Sequence, residues 1–321
     1  MRTIRTVILC LFAVIAVSAV ASASASASAT CFKVVTAGTG NKDSSCVTNT
    51  KASKNEYIAV EKLETQVKAQ TPAAASEWCA KVPAGTGVYE DNKCTKAGGT
   101  KEYIKVFVPE YEVCQEGGTE KWSEHKCNAG KGTGKWSWLP IPAGKTYAVE
   151  STGGAFKLEG GGKSSDCTAV TNTGEIGPGG ESTNVKLIFT GCTNDPKTCE
   201  AFAPAANKGK GIIEVTGLTD QLVEREGKVS DEFKENATTH EFVTIEFAEG
   251  ANACPNYPAT KVKGQVAGEC KNITVGGQGE TELVFPNPAL KENTLEAFGV
   301  KATLFGTATV SLVNKWSYRC V

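Results

Sequence analysis

Over the second half of the chain, apolar and polar positions alternate in short runs. Val185, Leu187 and Phe189 are interleaved with Asn184, Lys186 and Ile188, and Val243, Ile245 and Phe247 with Phe242, Thr244 and Glu246. Leu283 and Phe285 repeat the pattern, as do Phe298, Val300, Ala302 and Leu304, and then Ala308, Val310 and Leu312. A period of two is the mark of a half-buried antiparallel strand. Glycine-rich turns separate the runs at 160–162, 177–180 and 276–277. About ten such strands in a row predict an antiparallel β-sandwich or barrel-like domain. Strands do not alternate with helices, which argues against a doubly wound α/β enzyme. Ser230 to Ala237 is a weak helix candidate.

The first half carries an internal repeat instead. Three segments share a cysteine loop followed by a short strand: Cys31 to Cys46 and then EYIAV, Cys79 to Cys94 and then EYIKV, Cys114 to Cys127 and then KWSWL. The first two share C-x-K-V and A-G-T-G. Five residues before each second cysteine stand Asn41, Tyr89 and Trp122; an aromatic follows it, Tyr57, Tyr103 or Trp136. Each module reads as a loop turned by glycine and closed by a staple, because so small a unit buries too little apolar area alone. Closing a loop of this length stabilises by about 3 kcal/mol in the chain-entropy picture. Local pairing, Cys31–Cys46, Cys79–Cys94 and Cys114–Cys127, is the favoured reading, although six cysteines admit fifteen pairings. Residues 64–77, polar and alanine-rich around Pro72, read as a linker or one helical turn.

These patterns divide the chain into three parts. Residues 1–29 read as a signal peptide: Arg2 and Arg5, an apolar run from Val7, then overlapping A-x-A triplets that leave the cleavage anywhere in 21–29. Residues 30–144 hold the three repeats (31–60, 79–108 and 114–142), and 145–321 form the antiparallel domain. The expected fold is mainly β, small disulfide-stapled β modules followed by the sandwich or barrel-like domain. Pro140 and Pro142 put the boundary near Gly144. Charge changes there too, from +3 over 31–145 to −6 over 146–321.

Thirteen cysteines become twelve once the leader with Cys10 is removed. An even set in an exported chain predicts a disulfide framework. Besides the six in the modules these are Cys167, Cys192, Cys199, Cys254, Cys270 and Cys320, whose pairing stays open. Zinc would need closely spaced thiolate pairs, and the nearest cysteines are Cys192 and Cys199.

Reactive constellations are absent from the sequence. Only His125 and His240 are present, there is no G-x-S-x-G elbow, and Gly162-Lys163-Ser164 lacks the upstream glycine of a phosphate loop. Glu241, Glu246 and Glu249 cluster on one strand, where a solvated face explains them; a carboxylate pair from distant strands is the enzymatic alternative. Asp91 reads as a turn former rather than a calcium ligand. The net charge of −1 gives no footprint for nucleic acid. No cofactor, no metal site and no membrane span after signal cleavage are expected. Tyr89, Tyr103, Trp122, Trp136 and Trp138 are the candidate binding aromatics, suited to sugar rings or partner surfaces, although covering the staples is a competing role.

The Y-x-D-x-x-C loop ending at Cys94, the aromatic after it, and TGEIGPGGESTNVKLIFTGC ending at Cys192 resemble uncharacterised secreted proteins of soil actinobacteria, over most of residues 31–200. The resemblance implies export and a β-rich fold and carries no catalytic residue. The expected function is that of a non-catalytic extracellular or cell-envelope structural or binding protein, with cell-wall glycan or another extracellular protein as its partner. A secreted carboxylate-dependent hydrolase and a disulfide-stapled inhibitor or effector are the alternatives.

Overall fold

The computed structural model describes residues 30–35, 57–68, 76–195, 197–225, 227–250, 252–286 and 294–321. The leader and Cys46 lie outside them. The protein is mainly β, with no α-helix among the described residues.

Modules one and two share one antiparallel sheet. Its strands β1 (Thr30–Val34), β2 (Tyr57–Val60), β3 (Lys62–Lys68), β4 (Ser76–Lys81) and β5 (Tyr103–Val108) lie in the order β2-β1-β5-β4-β3. The segment expected to be a linker over 64–77 is therefore partly strand. Its polarity reflects an edge position, and two register shifts against β4 break its alternation. Phe32, Ile58, Val60, Ile104, Val106 and Val108 form the sheet's core. The third module supplies β6 (Tyr111–Glu116) and β7 (Trp136–Pro140).

Modules two and three match at equivalent positions. Tyr89 and Tyr103 exchange backbone hydrogen bonds at 2.9 and 3.0 Å, and Trp122 and Trp136, at the equivalent positions, do so at 2.6 and 3.1 Å. Cys94 and Cys127 both take positive φ, 53° and 48°, after equivalent turns. The expected staples Cys79–Cys94 and Cys114–Cys127 are both formed. Cys31 is also disulfide-bonded.

The remaining strands are β8 (Tyr147–Gly153), β9 (Phe156–Gly160), β10 (Lys163–Cys167), β11 (Ala169–Ile176), β12 (Glu181–Thr190), β13 (Thr193–Asn194), β14 (Glu200–Phe202), β15 (Ile213–Arg225), β16 (Lys228–Lys234), β17 (Val243–Glu249), β18 (Asn252–Ala253), β19 (Thr260–Val262), β20 (Gln265–Val275), β21 (Gln278–Phe285), β22 (Glu296–Ala297), β23 (Val300–Lys301), β24 (Thr303–Leu312) and β25 (Tyr318–Cys320). Eight of them, β8-β11-β12-β15-β16-β20-β21-β24, form an antiparallel barrel closed by pairing of β24 with β8. The order follows the chain, so successive connections alternate between the two ends. At one end the turns are tight; Gly276 and Gly277 take φ of 57° and 83°, the conformation a two-residue hairpin of matching twist requires. At the other end every connection carries inserted strands; those of the first three pair into a sheet running on from β24, and β22 and β23 form a separate hairpin.

The structure corrects two further elements of the sequence reading. Ser230 to Ala237 is not helical; it holds most of barrel strand β16. Ser230 and Glu232 face outward yet are buried, and Ser230 lies opposite Val223, itself part of the N-terminal sheet's core. A strand covered on both faces loses its amphipathic signature. The run from Phe298 to Leu304 is not continuous either: Phe298 takes φ of 55° in the turn between β22 and β23.

The end of the chain leaves the barrel. β25 pairs with β6, completing a three-stranded sheet β25-β6-β7 at the tight-turn end. Cys320 is bridged to Cys270 of β20. Asn272 binds both the N–H and the carbonyl of Cys320, at 2.9 and 2.8 Å. Arg319 bonds Glu112 at 2.7 Å and lies over the Trp138 ring, 4.6 Å from its centroid.

Candidate functional site

The barrel's lower interior holds an acid pair. β15 and β16 are neighbours in register, with Asp220 opposite Phe233 and Leu222 opposite Asp231. The two aspartates are thus diagonal neighbours, and both are buried. Their carboxyl groups face the same small space and influence each other's ionisation. Tyr111, brought in on β6, donates to Asp231 at 3.4 Å and lies 3.2 Å from the Ser182 hydroxyl. Ser182 faces in despite standing three residues before Val185, because β12 shifts register between them.

Burial pushes the Asp220 carboxyl up to about 6. It raises Asp231 well above the ordinary carboxylate range, and the neighbouring Asp220 charge adds to this. The two carboxyls influence each other, so their ionisations belong to the pair. Burial also raises the Tyr111 hydroxyl, followed by the charges of Asp231 and Asp220, so Tyr111 stays a donor. Around the pair lies a cavity of about 20 Å³, also lined by Asn172, Thr281 and Tyr318. That volume accommodates one water-sized group.

The upper interior is different. A cavity of about 110 Å³ lies between the barrel wall and the inserted strands, with Phe156, Leu158, Phe189, Phe233, Ile245, Val266 and Phe285 among its walls. Only Ser151, Ser165 and Asn172 contribute polar side chains to it. Asn172, Phe233 and Leu283 line both cavities. Four buried oxygens face these spaces without a hydrogen-bond partner: Ser165 Oγ, Asn172 Oδ1, Asp220 Oδ1 and Asp231 Oδ1. An unmet buried acceptor or hydroxyl costs about 1–3 kcal/mol.

The residues offered by the sequence lie elsewhere. The ring of Tyr89 lies under Lys105, that of Trp122 under Lys131 and that of Trp136 under Lys135, at 5.3–5.6 Å. Tyr103 is half-buried like the others. Trp136 packs on Trp316 and His125, while a Cβ at Gly279 of the barrel would approach the Trp138 ring to 3.2 Å. These aromatics are built into the modules and their seam with the barrel. All described cysteines are bridged, with Cys167–Cys192 and Cys199–Cys254 completing the pairs whose partners were left open. Glu241 faces Lys261 at 2.9 Å, and Glu246 and Glu249 are exposed, so the three do not converge. His240 is exposed. Asp91 accepts from the Thr95 and Lys96 amides at 3.0 and 2.7 Å, as a turn former does; the Lys96 bond first, then the Thr95 hydroxyl, hold its carboxyl down to about 2.

Sequence reasoning missed Asp220 and Asp231, yet both leave a signal. Leu218-x-Asp220-x-Leu222 and Val229-x-Asp231-x-Phe233 each put a carboxylate at an inward step of an alternating strand. No group of three or more His, Cys, Asp or Glu able to hold a metal occurs among the described residues. No family model, no curated protein and no solved structure matches the chain.

Proposed function

We propose that this is a non-catalytic extracellular binding protein and that its recognition site is the barrel interior. One observation carries the reading: an apolar cavity of about 110 Å³ bearing a buried serine hydroxyl, Ser165 Oγ, with no partner of its own. Eight strands enclose just enough room for one small ligand. The cavity is of the order of the ~150 Å³ apolar void that admits benzene. The bridged cysteines suit an oxidising compartment, and the leader pattern supplies the route there. Glycan recognition by the module aromatics has less support, because their rings are half-buried against lysines and the barrel.

The test is methyl NMR of the protein equilibrated with toluene. Shifts at methyls lining the cavity, such as Leu158, Val266, Leu283 and Ala308, with none at Val106 or Val108 of the N-terminal sheet, are the expected result. Undisturbed methyls at saturation would reject the reading.

A secreted carboxylate-dependent hydrolase is the second reading, and the acid pair favours it. Against it, glycosidases hold their two carboxyls about 5–9.5 Å apart with the scissile bond between. Here the two aspartates are diagonal neighbours on adjacent strands and line a cavity of about 20 Å³, too small to hold a scissile bond between them. Hydrolysis of a glycoside or peptide that disappears in Asp231→Asn would decide for the enzyme.

A further inference from the structure

The two cavities are stacked along the barrel. Phe233 stands on the wall of the upper one, and Asp231, the next inward residue of the same strand, lies about 7 Å further down. Asn172 belongs to both walls. The upper space offers hydrocarbon; the lower one offers three acceptor oxygens, Asp220 Oδ1, Asp231 Oδ1 and Asn172 Oδ1, that no donor meets.

No lysine, arginine or histidine lines either cavity. The cation acting most directly on the pair is Lys234, which lies outside the lining and bonds Thr30. A buried acceptor cluster of this kind is completed by a group that brings several N–H donors and a positive charge. An ammonium has three donors and the size of one water. A neutral hydroxyl has one donor and would leave two of the oxygens unmet.

We propose that the barrel takes a small hydrophobic amine, its apolar body in the upper cavity and its ammonium on Asp220, Asp231 and Asn172. This rests on the binding reading above and adds the chemical class of the ligand. Asp220 and Asp231 act as its counter-charge, Asn172 as a third acceptor, and Ser165 as a contact to the body of the molecule. The upper volume restricts that body to about one aromatic ring.

Calorimetric titration of the full exported chain with benzylamine, benzyl alcohol and toluene at pH 7.5 tests the class. The three probes share the ring and differ in the group that reaches the pair. Benzylamine is expected to bind at least tenfold more tightly than either of the others. Equal affinity for all three would overturn the amine class while leaving an apolar binding site standing. Binding of none would overturn the binding reading itself. Asp231→Asn is expected to erase the preference for the amine, and Asp220→Asn provides the same readout should the first variant not fold. A preference unaltered in a folded variant would overturn the role of the pair.

Discussion

Asp231 stands across from Leu222 on the neighbouring strand and one inward step from Asp220, so two carboxyl groups meet where both strands otherwise point hydrocarbon. Their surroundings are Tyr111, Tyr318, Ser182 and Thr281 rather than a cation.

The pair predicts stability that declines as pH rises. Both carboxyls ionise at higher pH in the folded protein than in the unfolded chain, near 3.9. The folded state therefore binds more protons, and its advantage is fully present below that value and lost upward through the folded range. Asp91 acts oppositely, its depressed carboxyl removing stability as pH falls through about 2. Thermal unfolding of the wild type should lose midpoint between pH 4 and 7. Asp220→Asn/Asp231→Asn should be flatter and more stable at pH 7.5; a midpoint rising with pH over that window in the wild type would contradict the pair.

Removing Cys270–Cys320 should cost more than removing Cys114–Cys127. Their sequence separations are 50 and 13 residues, which correspond to about 4 and about 3 kcal/mol of lost chain-entropy restraint. The double Cys→Ser variants, compared by urea unfolding, check the order. Amide exchange adds a second measure: only the Cys270/Cys320 variant should expose β25 and the facing edge of β6.

Arg319→Met should destabilise by about 3 kcal/mol. The Glu112 side chain is wholly buried and its partner guanidinium stacks on Trp138, so losing the arginine removes the ion pair that compensates a buried carboxylate. Arg319→Lys should recover little, since an ammonium neither stacks nor forks as a guanidinium does. Arg319→Met/Glu112→Gln should regain most of the loss. A double-mutant cycle with no coupling would mean the pair is passive.

Ser165→Ala should stabilise the protein by about 1 kcal/mol, because it removes a buried hydroxyl that has no partner. The same change should weaken retention of a probe in the upper cavity. Denaturant unfolding with and without benzyl alcohol separates the two effects. Destabilisation of the ligand-free protein would show that Oγ is satisfied after all.

Much of the architecture is legible in residues 30–321, and the reasons are local. Tyr103 to Val108 and Val243 to Glu249 declare themselves by composition and alternation, and the cysteine loops by their spacing. Strand β16 was hidden because a second layer covers its polar outer face. Strand β3 was hidden because an edge strand with two shifts has no fixed alternation to read. Closure into a barrel depends on β24 meeting β8, a pairing between residues 149–153 and 308–312 that no local pattern encodes. The interior site was missed for a related reason. Each aspartate is visible as an anomaly in its own strand, but only the register of β15 on β16 brings them together. The aromatics of modules two and three, conspicuous in sequence, are conspicuous because the loops are built on them.

Strand β25 has a consequence for the order of assembly. Glu112 and Arg319, joined across the β6–β25 edge, are 207 residues apart. The cysteine loops can close on neighbours soon after they emerge, whereas the tight-turn end of the barrel gains Tyr318 and its seal only when β25 arrives. Were the barrel to hold the proposed amine, that seam would close over it. Its subsequent escape through that end would then be timed by the opening of three residues, Tyr318–Cys320, rather than by the strength of its own contacts.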